Sequence, residues 1–109
     1  MTPSSRTAEP GRVTVSVDPD LEEIVPVFLE NRRREVATLR TAFAGDDLKT
    51  LRLLGHRMKG DGGGYGFDAI SEIGEVLEQA AIRKDRRVIG QQIEKLDDFL
   101  TRVDVVYRK

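Results

Sequence analysis

Four stretches of this chain repeat apolar residues at helical spacing, and short breakers separate them. Phe28, Leu29, Val36, Leu39 and Phe43 form the first stripe, and Leu48, Leu51, Leu54, Gly55 and Met58 the second. Ile70, Ile73, Leu77 and Ala81 form the third, and Ile89, Ile93, Leu96, Leu100 and Val103 the fourth. A stripe recurring every three to four residues can be buried only against other helices, so four of them joined by short turns predict an antiparallel up-down-up-down four-helix bundle. With 109 residues, 39% of them apolar, there is material for one core and not for two. A bundle of this size has a filled interior, so its chemistry has to sit on the outside of a helix.

The boundaries follow from local signals. Met1 to Arg12 is rich in Pro, Ser, Thr and Gly and reads as a disordered tail, leaving 13–109 as the folded domain. Val13, Val15 and Val17 alternate with polar residues and predict a short extended segment lying on the domain by its valine face. Asp18-Pro19-Asp20 reads as a helix start, and Pro26 either ends a short first helix near Val25 or kinks a long one that continues to about Phe43. Gly45 is expected to close that helix and Asp46 to cap the next, which runs from Asp47 to roughly Gly62. Gly63 to Gly66 read as an inter-helix loop. The third helix is expected from Phe67 to about Arg83 with Asp68 as its cap, and the fourth from Asp85 nearly to the C-terminus. No sheet pattern stands out. Arg32, Arg33 and Arg34 read as a solvated helix face.

Composition removes whole classes of function. Lys and Arg number 18 against 19 Asp and Glu, so a net charge of -1 gives no global attraction to nucleic acid or to an anionic membrane. The absence of cysteine excludes disulfides, thiolate nucleophiles and zinc–sulfur sites. There is no apolar run long enough to span a bilayer and no signal-peptide core at the N-terminus, which predicts a cytoplasmic protein. Gly64-Tyr65-Gly66-Phe67-Asp68-Ala69 satisfies G-x-G-x-x-A, but a helix precedes it where a dinucleotide site needs a strand. One histidine cannot furnish a catalytic zinc site.

That one histidine, His56, is the candidate reactive group. At about 100° per residue it lies about 160° from the centre of the second apolar stripe, which puts the imidazole on the solvent side. Residues three and four away on a helix are its neighbours: Arg52 and Leu53 one turn before, Lys59 and Gly60 one turn after. Two cations so placed can stabilise negative oxygens on a ring nitrogen, and Gly60 leaves room beside the ring for another protein to approach.

His56-x-x-Lys59-Gly60, followed by Tyr65-Gly66 and by Leu77-Glu78 on the next helix, resembles the signature of histidine phosphotransfer domains over roughly residues 18 to 107. The resemblance implies a phosphocarrier in a multistep phosphorelay, with no ATP site of its own and no self-sufficient enzymatic activity. His56 would be the phosphoacceptor and Lys59 would steady the phosphorylated ring. Arg52, Leu53, Gly60 and Gly66 would meet the partner. It also implies receiver domains and a hybrid histidine kinase as partners, magnesium on the receiver rather than on this chain, and a monomeric carrier. Asp61-Gly62-Gly63-Gly64 departs from the family, which commonly continues this helix with serine or alanine. Two other functions fit the same pattern: a helical adaptor or inhibitor that binds a receiver or kinase without carrying phosphate, and the phosphorylatable module of a larger kinase. The end of the chain after the fourth helix favours a free-standing module.

Overall fold

The computed structural model describes residues 11–108. It is a bundle of four helices, α1 (Val25–Ala44), α2 (Leu48–Gly64), α3 (Asp68–Arg83) and α4 (Arg86–Arg102), flanked by two short strands, β1 (Val13–Val17) and β2 (Val103–Tyr107). Most of the expected tail lies outside the described residues; its last residue, Arg12, donates to the carbonyl of Val103 and pairs with Asp104.

The helix ends differ from expectation where the side chains have better partners. Asp18 accepts from the N–H of Asp20 but caps only a single 3-10 turn, Pro19–Leu21. The long helix begins afterwards, with Pro26 in its first turn, where the missing N–H costs no hydrogen bond. Asp46 adopts a left-handed backbone (φ 58°) and receives Arg86 instead of capping α2. The cap is Asp47: the Thr50 N–H and hydroxyl both donate to its carboxylate, at 3.1 and 2.7 Å, and hold it below the usual aspartate range. Asp68 lies inside α3, whose capping position is Phe67, without a side-chain cap. Arg32 is buried rather than solvated, with its guanidinium 4.9 Å above the Phe28 ring.

The sheet is the larger departure. Val103 is buried, but it opens a strand and does not extend α4. The run Val103-Asp104-Val105-Val106 is β-branched at three of four places and favours extended backbone. Its hydrogen-bond partner is β1, in parallel register with Val13 opposite Val103 and Val17 opposite Tyr107. Val13, Val15 and Val17 thus share a face with Val103, Val105 and Tyr107, and that face packs on the bundle.

The closest helix pair is α2 with α3, because glycines meet where side chains would otherwise hold the backbones apart. A methyl group on Gly74 would stand 2.5 Å from the Lys59 N and 2.6 Å from the Gly55 O; one on Gly55 would stand 2.8 Å from the Glu78 N. Further along, one on Gly62 would stand 2.6 Å from the Ser71 N. The Ser71 hydroxyl sits in that gap, accepting from the Gly63 N–H at 2.8 Å and donating to the Lys59 carbonyl at 2.9 Å. These contacts carry α2 through Gly64, so Gly63 and Gly64 are helix rather than loop. The turn is only Tyr65 to Phe67, with Gly66 at φ 89°, a conformation that favours glycine.

Gly74→Ala should therefore lower unfolding stability by about 1–3 kcal/mol through overpacking. Gly60→Ala, with nothing within 4 Å of the added carbon, should raise it by about 1 kcal/mol; urea unfolding of both variants measures the contrast. The Asp47 cap has a pH signature. Because its folded pKa is depressed, its stabilisation is present above the unfolded value, about 3.9, and lost as pH falls through the folded one. The urea-midpoint gap between wild type and Asp47→Ala should shrink towards pH 2.

Candidate functional site

His56 sits midway along α2, with its side chain 65% exposed. Leu51, Leu54 and Met58 point into the core and turn the imidazole outwards. The ring has a partner on another helix, which helical periodicity alone does not reveal. Its Nδ1 lies 3.0 Å from Oε2 of Glu78, a residue of α3 whose side chain is only 12% exposed. The other carboxylate oxygen of Glu78 is buried without a hydrogen-bond donor and faces the Lys59 ammonium at 3.6 Å. Glu78 therefore bridges the histidine and the lysine of the His-x-x-Lys pair.

This arrangement has a definite chemical consequence. A carboxylate opposite Nδ1 is matched by an Nδ1–H, which leaves the ring lone pair on Nε2, the outward nitrogen. A carboxylate so far from water is costly unless paired, and here one ammonium and one imidazole answer it. The glycine contacts make the bridge possible, since Gly55 and Gly74 bring the α3 backbone close enough for Glu78 to reach across. Glu78 was legible only as part of the Leu77-Glu78 resemblance; its 22-residue separation from His56 leaves no local signal.

The other singled-out residues fall into two groups. Arg52, Leu53, Lys59 and Gly60 are exposed around His56, with Leu53 51% exposed and the space beside Gly60 open. Gly66 is not among them. Ten residues on, it forms the turn after α2 and packs towards Val17. Tyr65 beside it stacks on Phe28, with ring centroids 4.4 Å apart. Asp61 points towards α1, 3.8 Å from Arg32, which also pairs with Glu35. Burial pushes the Glu35 carboxyl up, with Arg32 opposing the shift.

Fold and site together define a helical bundle that presents one oriented histidine to the exterior. The chain belongs to the Hpt domain family: the family model for the Hpt domain matches residues 23–105, most of the chain. Its role is therefore histidine phosphotransfer in a phosphorelay, and domains of this family interact with receiver domains and histidine kinases. No curated protein and no solved structure gives a significant match. Strand β1 and the 3-10 turn precede the matched segment. No helix among the described residues is long and apolar enough to cross a membrane.

The Glu78 contact can be read directly. In 15N spectra of neutral His56, the wild-type ring should be mainly the Nδ1–H tautomer, and Glu78→Ala should shift it towards Nε2–H, the form preferred by a histidine side chain without a partner. An unchanged tautomer ratio would remove the orienting role.

Proposed function

We propose that His56 is the phosphoacceptor and that it carries a phosphoryl group between the aspartates of two receiver domains in a multistep relay. The observation that supports this most is the Glu78 bridge, which commits Nδ1 and leaves Nε2 exposed on a surface with no side chain at Gly60. In the forward step the Nε2 lone pair attacks phosphorus of the receiver's acyl phosphate. The Nε2–P bond forms, the P–O bond breaks, and the aspartate leaves as a carboxylate with the bonding electrons. No proton moves. The ring keeps its Nδ1–H and becomes cationic, and the Glu78 carboxylate lies where it offsets that charge. Transfer to the second receiver is the same step reversed.

Lys59 serves the phosphorylated state. It sits one turn from His56, and its ammonium can leave Glu78 for the phosphoryl oxygens, a charge-assisted contact of the kind that holds phosphates. An adaptor that never carried phosphate would have no use for a buried carboxylate shared between a histidine and a lysine. We place the carrier in the cytoplasm as a monomer, its magnesium supplied by the receiver.

Incubation with phosphorylated receivers should label the chain with an acid-labile, base-stable phosphoryl group, and His56→Gln should abolish it. Label persisting undiminished in that variant would sink the assignment. Lys59→Ala should fold normally but slow transfer, or shorten the phosphohistidine lifetime, by about tenfold. Unchanged values for both would remove its role.

A further inference from the structure

Three residues of α3 meet Lys59 from one side. Ser71, Gly74 and Glu78 are spaced three and four apart, so they share one face of their helix. Glu78 faces the Lys59 ammonium at 3.6 Å. Gly74 lies against the Lys59 main-chain nitrogen, where an added Cβ would stand 2.5 Å away. The Ser71 hydroxyl donates to the Lys59 carbonyl at 2.9 Å. Lys59 is therefore gripped by α3 at its main-chain nitrogen, at its carbonyl and at the end of its side chain.

The Ser71 contact replaces one that α2 would make alone. An α-helix pairs the N–H of each residue with the C=O four residues earlier, here Gly63 with Lys59. The Ser71 hydroxyl accepts from the Gly63 N–H at 2.8 Å and donates to the Lys59 carbonyl, so it bridges that pair from the neighbouring helix. A serine within a helix ordinarily returns its proton to a carbonyl of its own preceding turn; this one gives it to α2. The bridge falls where α2 is weakest, among Gly60, Gly62, Gly63 and Gly64, because glycine is the poorest helix former after proline. Removing the hydroxyl would orphan neither group, since the Gly63 N–H and the Lys59 carbonyl can bond each other. What only Ser71 supplies is the tie between the Lys59 main chain and α3.

We infer that Ser71 is a positioning residue for phosphotransfer: by holding the Lys59 main chain on α3, it keeps the ammonium within reach of both Glu78 and a phosphoryl group on His56. This inference rests on the phosphocarrier reading and deepens it. Ser71 acts through Lys59. Without the tie, the glycines beyond Lys59 let its segment drift, and a cation misplaced by about 1 Å loses much of its charge-assisted contact with the phosphoryl oxygens.

The test is a cycle of four full-length chains: wild type, Ser71→Ala, Lys59→Ala and the double variant. Each is labelled on His56 with phosphoramidate, which needs no receiver, and then freed of that donor. Two rates are read: loss of label to water, and transfer of label to the receiver domain of the source genome that empties the wild type fastest. Ser71→Ala should raise the first or lower the second by about fivefold, and the same substitution should change neither in the Lys59→Ala background. Its urea midpoint should fall by less than that of Gly74→Ala, because the helix bond can close. Ser71→Cys, whose thiol is a weaker donor and acceptor, should lie between wild type and Ser71→Ala, and it takes the place of Ser71→Ala in the cycle if that variant does not fold. Rates unchanged by Ser71→Ala overturn the inference. So do equal changes in both Lys59 backgrounds, which would make Ser71 a general support of the fold, and so does Lys59→Ala without effect on either rate. A wild-type chain that takes label from phosphoramidate but passes it to no receiver overturns the relay reading, while the loss of label to water still decides the role of Ser71.

Discussion

The close approach of α2 and α3 is the constraint on which the rest of the site depends. Two helices with ordinary side chains at their crossing stand 8–10 Å apart. Gly55, Gly62 and Gly74 remove the carbons that would enforce that spacing, and any Cβ there would collide with backbone of the opposite helix. The consequence is chemical as well as mechanical. Glu78, adjacent in space but 22 residues away in sequence, reaches the imidazole and fixes which nitrogen faces out. The Ser71 hydroxyl ties the far end of the same seam through Gly63 and Lys59.

That seam also explains how a helix tolerates three consecutive glycines. Glycine loses more conformational freedom than any other residue on entering a helix, so Gly62 to Gly64 would fray on propensity alone. Here Gly62 is packed against α3 and the Gly63 N–H is bonded to Ser71, while Tyr65 just beyond is stacked on Phe28. Tertiary contacts hold what local preference would release. Beyond the seam, Gly64 meets nothing within 4 Å, so the same residue type packs against α3 at Gly62 and faces open space two residues later.

The two strands add a second long-range tie. β1 and β2 come from opposite ends of the chain and pair in parallel, so the segment before the helices is held against the segment after them. Val17, at the end of β1, is buried and lies beside Gly66, the turn that follows α2. The N-terminal addition to the family's core therefore bears on the end of the helix that carries His56.

The sequence by itself determined the four helices, their inward faces and the outward direction of His56, because helical periodicity is a local property written in each segment. It also placed Arg52, Leu53, Lys59 and Gly60 around the imidazole, since neighbours on one helix follow from a rise of about 1.5 Å per residue. Only the tertiary structure decided the length of α2, the strand in place of the last turn of α4, the burial of Arg32 and the Glu78 partner of His56. Each of these depends on a group on another element: Ser71 for the glycines, β1 for Val103 to Tyr107, Asp61 for Arg32, and the Gly55–Gly74 contact for Glu78. Periodicity and capping report what a segment prefers, whereas a carboxylate 3.0 Å from an imidazole exists only after two helices have come together.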